Sequence, residues 1–208
     1  MDDHFETDRL EAFSDGVFAI AITLLVLELS VPADEFDDLL AGILEQWPSY
    51  LAYLTSFLTI GGVWLVHHGI LRRMRYADSW FVRVNLLLLL AVSFLPFPTK
   101  LVAEAITSTS AERVAVLFYG LTLLVISTIV AAMGRYVARR DDLRAEDASS
   151  KDVLTVVALA EPSLGFYVLL LVFAVFAPQL AAFGLLLVAA LGLAPPPRIV
   201  RRRLRRVG

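Results

Sequence analysis

The sequence predicts an all-α polytopic membrane protein with six transmembrane helices per subunit, and three observations carry that prediction. Hydrophobic residues make up 58% of the 208 and charged residues only 19%, with a mean hydropathy of +0.73. A soluble chain of this length needs far more polar residues to cover its surface. Six apolar stretches are long enough to cross a hydrocarbon core of about 30 Å. The basic residues collect on alternate connections, as the positive-inside rule requires. Strict period-2 alternation, the mark of an outer-membrane barrel, is missing from the sequence.

The first span covers residues 12–31. MDDHFETDRLEAF before it is acidic and has neither the basic region nor the cleavage site of a signal peptide, so the span is expected to be retained. The second covers 47–71, the third 81–98 and the fourth 114–137. The fifth (153–177) and sixth (178–194) are parted at Ala177-Pro178-Gln179. Pro195-Pro196-Pro197 ends the last helix and leaves 195–208 as a basic tail.

Sixteen of the 18 Lys and Arg fall on one side. They are Arg9, then Arg72, Arg73, Arg75 and Arg83, then Arg135, Arg139, Arg140, Arg144 and Lys151, and six arginines of the tail. The other side has Lys100 and Arg113, and its first loop holds Asp34, Glu35, Asp37, Asp38 and Glu45. Six spans in the cell membrane with both termini cytoplasmic satisfy this pattern. The tail RIVRRRLRR reads first as a stop signal and second as a contact for anionic inner-leaflet lipid. A net charge of −3 gives no reason to expect nucleic acid. Cysteine is absent, which excludes disulfides, thiolate metal sites and thiol catalysis. No Ser-His-Asp spacing, HExxH or nucleotide loop marks an enzyme.

The first span departs from a plain Leu-Val-Ala string. RLEAFSDGVFAIAITLLVLEL puts Ser14, Asp15 and Gly16 about one turn inside the membrane, where an ionisable group costs up to ~2.5–3.5 kcal/mol. At about 100° per residue, with Ile20 at zero, Leu24 lies near +40°, Leu27 near −20°, Gly16 near −40° and Phe13 near +20°. Thr23 falls near −60°, while Asp15 points to about −140° and Ser14 to about +120°. An aliphatic stripe thus runs along one face, with a polar cluster on its back to be buried against other helices. The second span supplies partners at the same depth: Trp64, His67 and His68 in WLVHHGILRRM. An Asp15–His or Asp15–Arg9 contact is expected to satisfy the carboxylate. The cluster reads as a structural clamp or as a proton-carrying dyad; no chain of such groups continues across the bilayer, which favours the clamp. Adjacent histidines diverge by about 100° and the only other histidine is His4, so no metal site or cofactor is expected. Glu28 is a candidate for an outer vestibule or a snorkelling interfacial acid, and Glu161 is expected near the inner boundary.

RLEAFSDGVFAIAITLLVLEL, followed by WLVHHGILRRM and NLLLLLAVSFLPFPT, resembles the prokaryotic members of the transmembrane protein 175 family of endosomal/lysosomal potassium channels. The hallmark is Arg9 followed by Phe13-Ser14-Asp15, and the likeness is good through about Thr99. The resemblance implies a homotetramer around a central pore, with the first helix lining it and K+ as the permeant ion. It implies that Ile20, Leu24 and Leu27 form aliphatic constrictions, and that Thr23 bears on potassium selectivity. It also implies a buried inter-helix cluster of Arg9, Ser14 and Asp15 with Trp64, His67 and His68. The alternative is a proton-conducting or proton-coupled transporter using Asp15 and the histidines. The Thr-Val-Gly-Tyr-Gly filter of ordinary potassium channels does not occur in the chain.

Overall fold

A computed structural model describes residues 5–30, 37–105, 111–158 and 161–193. The basic tail 195–208, His4, Asp34 and Glu35, and the side chain of Glu161 lie outside the described residues. The described chain is all helix and connection, laced by two isolated backbone bridges on one side.

Helix α1 runs Thr7–Leu24 and tightens into a 3₁₀ turn over Leu25–Glu28 before Leu29 becomes extended. It begins earlier and ends sooner than the expected 12–31. Pro32 lies just downstream, and a proline disfavours helix in the residue before it. Helix α2 (Leu39–Glu45) is a short element capped by the Asp38 carboxylate, which accepts from Ala41 N at 3.2 Å. Helix α3 (Trp47–Leu71) carries Pro48 in its first turn, where no backbone donor is lost.

Helix α4 (Ser79–Phe94) is capped by Asp78, which accepts from Phe81 N at 2.8 Å. Helix α5 (Pro96–Ala105) follows directly. The third expected span is therefore a 27-residue rod, Ser79–Ala105, interrupted at Leu95 and continuing past residue 98. Pro96 opens the second segment where proline is tolerated, so the prolines reset the helix instead of ending it. Helix α6 (Glu112–Arg139) ends under the Arg144 guanidinium, which donates to Ala138 O at 2.9 Å. The fifth expected span divides into α7 (Ser150–Val157) and α8 (Glu161–Ala174). A capping box between Ser149 and Asp152 starts α7. Helix α9 is Pro178–Leu193.

Four of these elements are long and apolar enough to cross a membrane: Thr7–Glu28, Trp47–Leu71, Ser79–Ala105 and Glu112–Arg139. The apolar stretches Leu164–Ala174 and Pro178–Gly192 are shorter. Helices α3 and α6 are the hubs. α3 packs against α1, α5, α6, α7 and α9, and α6 against α4, α5, α7 and α8. Phe81 and Leu88 of α4, Ile60 and Ile70 of α3, and Leu123, Ile126 and Met133 of α6 are buried in the core these helices share. α7 comes so close to α6 that a Cβ on Gly134 would sit 2.1 Å from Val157 Cγ2. On the side that carries most of the arginines, Phe5 exchanges backbone bonds of 2.8 and 3.0 Å with Ala77. Arg75 N donates to Leu143 O at 2.8 Å and Ala145 N to Arg73 O at 3.0 Å. The N-terminal residues and two connections are thereby tied together beneath the helices.

Candidate functional site

Helix α1 has two opposed faces. Ser14, Phe18, Ala21 and Leu25 are buried at spacings of four, three and four, which places them between about +100° and +160° from Ile20. They pack on α3 and α4. Across the helix the side chains point away from the subunit's own core: Phe13 is 56% exposed, Ile20 61%, Leu24 42% and Leu27 71%. Leu27 sits in the 3₁₀ turn, where residues advance about 120°, yet it still faces outward. Thr23 is exposed beside the stripe, and its Oγ1 donates to Ile20 O at 2.9 Å. That bond uses the hydroxyl hydrogen and leaves the oxygen lone pairs free to accept.

The polar back of α1 is held by two sets of contacts. Trp64 Nε1 donates to Asp15 Oδ1 at 2.8 Å. One turn earlier, Glu11 Oε1 lies 2.6 Å from His68 Nδ1, and the Trp64 and His68 rings stack at 5.4 Å. The second set is deeper. Ser14 Oγ donates to Leu10 O at 2.8 Å and accepts from Asn85 Nδ2 at 3.0 Å. Asn85 Oδ1 lies 2.7 Å from His67 Nε2. With the Asn85 amide donating to Ser14, its carbonyl accepts, so His67 carries its proton on Nε2. His67 Nδ1 is then a buried acceptor without a partner among the described residues. The two histidines serve different neighbours, as their angular separation requires.

Two expectations about this cluster need correction. Asp15 takes the indole N–H of Trp64, not a histidine or Arg9, because Glu11 has already claimed His68. Arg9 stands outside the cluster: it is exposed and has no hydrogen bond or ion pair among the described residues. Eleven residues before Ile20, it falls near −20°, on the aliphatic stripe itself, and its side chain points away from α3. Asn85 is the residue that reading the sequence missed. Its signal was a lone amide in VRVNLLLLL, a polar group inside an apolar span.

A second buried cluster ties α3, α5 and α6 further along. Ser56 Oγ is 2.7 Å from Thr99 Oγ1 and 2.8 Å from Tyr119 OH, and Thr99 returns a bond to Leu95 O. Glu28 Oε2 faces Lys100 Nζ at 4.0 Å, so this acid is paired at the far end of α1 from the histidines. At the opposite end of the molecule, Arg140 forks onto Asp142 through bonds of 2.9 and 2.6 Å, which push the guanidinium's pKa up. Two hydrogen bonds from Ser149 hold the Asp152 carboxyl below its ordinary value. Among the described residues no three His, Asp or Glu side chains gather where they could hold a metal ion. The site therefore offers positioning and a partly buried polar seam between α1, α3 and α4.

The family described as "Endosomal/lysosomal potassium channel TMEM175" matches residues 9–96. A potassium channel of Chamaesiphon minutus is 45% identical over 151 residues, covering 71% of this chain and 74% of that one. The crystal structure of a lysosomal potassium-selective channel TMEM175 homolog from the same organism superposes with a TM-score of 0.79 at 36% identity, over 89% of this chain and 95% of the other. The endosomal/lysosomal proton channel TMEM175 of Danio rerio is 40% identical over 107 residues, 47% of this chain and 21% of that protein.

Proposed function

This chain belongs to the endosomal/lysosomal potassium channel TMEM175 family, a family of ion channels and not of enzymes, and on that premise we propose that it forms a potassium-preferring channel in the cell membrane. Four copies surround a central pore. Each is a six-crossing subunit with both termini cytoplasmic, α8 and α9 completing the crossings with their connections. The first helix lines the pore, and Ile20, Leu24 and Leu27 form successive aliphatic rings.

The observation that carries this reading is the split of α1. One face is locked to α3 and α4, while the opposite face is an exposed aliphatic stripe that a single copy leaves uncovered. An aliphatic ring blocks ions by dewetting and needs no charged barrier. The Thr23 oxygens and the backbone carbonyls beside them are the ligands available to a dehydrating cation. The basic tail, held near the inner leaflet, adds electrostatic attraction to anionic lipid.

Single-channel recording from reconstituted protein tests the assignment. Ile20→Asn wets the constriction and raises cation conductance, whereas the neighbouring Ala19→Asn leaves it near wild type. Thr23→Ala lowers the preference for K+ over Na+. Equal conductance for wild type, Ile20→Asn and Ala19→Asn removes the pore from α1. The proton-channel name of the animal relative favours a second reading, in which Asp15 and the histidines carry protons. Under opposed K+ and pH gradients, a reversal potential that follows pH replaces the first reading with the second.

A further inference from the structure

We propose that the cavity between α3, α6, α8 and α9 binds a membrane-dissolved primary alcohol, hydroxyl first. The cavity has no lining residue on α1 and has a volume of about 40 Å³, partly open, lined by Leu58, Thr59, Ser127, Tyr167 and Val188 among others. Its polar wall is unusual for this molecule. Threonines elsewhere in the helices return their hydroxyl to a carbonyl one turn back: Thr55 to Leu51, Thr99 to Leu95, Thr122 to Phe118, Thr128 to Leu124 and Thr155 to Lys151. Thr59 does not. It is 5% exposed, and its Oγ1 completes no hydrogen bond among the described residues. Ser127 and Tyr167 line the same cavity, so three neutral hydroxyl-bearing side chains stand on its wall, and that of Thr59 has its bonding capacity to spare.

Depth and size select the guest. Thr59 is twelve residues from either end of Trp47–Leu71, about 18 Å along the helix in each direction. That is beyond the reach of phospholipid headgroups. An ion would lose its hydration shell against neutral partners that cannot replace it. A group taken from the hydrocarbon phase must therefore be neutral, and to satisfy three hydroxyls it must both donate and accept. The volume admits a hydroxyl and roughly two carbons, on a scale of ~10–15 Å³ for one water-sized group. The remaining alkyl chain stays in the open mouth against aliphatic side chains.

The test uses the full chain in liposomes, a diazirine-bearing octanol as photolabel, and peptide mapping of the adducts. Labelling is expected to saturate on peptides containing Thr59 and Tyr167, and to be competed by 1-octanol but not by n-octane. Thr59→Val removes the hydroxyl at nearly constant shape and is expected to weaken apparent affinity about fivefold, the value of one hydrogen bond. Gly62→Val projects into the same cavity, where a Cβ meets nothing within 4 Å, and is expected to abolish labelling. Both variants are first matched to wild type by size-exclusion elution. If Thr59→Val fails that check, Gly62→Val and the octane arm decide. Non-saturable labelling spread over the lipid-facing phenylalanines, equal competition by n-octane, or undiminished labelling of a folded variant overturns the proposal.

Discussion

Asn85→Leu is the sharpest test of how α1 is held. The substitution keeps the side chain's size and deletes both arms of the amide, the 3.0 Å bond to Ser14 Oγ and the 2.7 Å bond to His67 Nε2. Ser14 suffers little, because its hydroxyl still donates to Leu10 O. His67 suffers more: it is fully buried, its Nδ1 already lacks a partner, and now its Nε2–H is stranded as well. Interhelical hydrogen bonds in membranes average only about 0.6 kcal/mol. A stranded buried donor costs about 1–3 kcal/mol. The stranding decides the size of the effect, and a net loss of about 2 kcal/mol follows, roughly thirtyfold in the unfolding equilibrium. Adding His67→Phe removes the stranded donor and keeps the ring contact that Phe18 makes at 5.4 Å. Replacing both partners by apolar groups is nearly neutral, so the double variant is expected within about 1 kcal/mol of wild type and above either single one. SDS titration in mild detergent, followed by tryptophan fluorescence, measures all four corners of the cycle. A single variant within about 0.5 kcal/mol of wild type, or a double variant below both singles, refutes the role given to the amide.

Gly134→Ala drives a Cβ to 2.1 Å from Val157 Cγ2 and 3.1 Å from Ile70 Cδ1. Valine is stiff at χ1, so α7 must shift, and a loss of about 1–3 kcal/mol is expected in the same unfolding assay. Gly61→Ala, which meets nothing within 4 Å, is the control and stays near wild type. Asp152 loses its cap in acid. Its carboxyl is held below 3.8 by the Ser149 bonds, so its contribution is complete above about pH 4 and disappears as pH falls through the lower, folded-state value. Hydrogen exchange in Ser150–Val157 is expected to accelerate on that acid limb, and Asp152→Asn to flatten the pH dependence. An unchanged acid limb in Asp152→Asn assigns the loss to another group.

What the sequence made legible follows from the solvent. A hydrocarbon core constrains composition and segment length directly, so the all-helical membrane class could be read from residues alone. The two faces of α1 were legible for a similar reason, since angle arithmetic from Ile20 separates Ser14 from the stripe by about 120°. The same arithmetic puts Arg9 near −20°. Its exclusion from the cluster was therefore also legible, although charge complementarity to Asp15 and the family resemblance both pointed to including it. Partner choice was not legible. Trp64 and His68 share a helix face, and nothing in their spacing decides which of them meets Asp15 and which meets Glu11. Asn85 pairs with Ser14 across 71 residues, a contact that depends on how α4 tilts against α1. The division of the fifth span into α7 and α8 was legible, because Pro162 falls inside that span and opens α8 in its first turn, where proline is tolerated.

The split of α1 also restricts how its stripe can change state. The contacts that fix it, Trp64–Asp15, His68–Glu11 and Asn85–Ser14, all lie between residues 11 and 15, within about one turn. Beyond Phe18 the helix is held by the apolar contacts of Ala21 and Leu25, and then by the Glu28–Lys100 pair. Rotating α1 by one residue, about 100°, would break all three inner contacts and turn Ser14 away from Asn85. At about 0.6–1.7 kcal/mol for each interhelical contact, that costs roughly 2–5 kcal/mol before any repacking of Phe18. The outer half carries no such penalty, and its last four residues are already in the looser 3₁₀ form. A change of ring diameter at Leu24 or Leu27 is therefore cheaper by tilting or rewinding the outer turn than by rotating the whole helix.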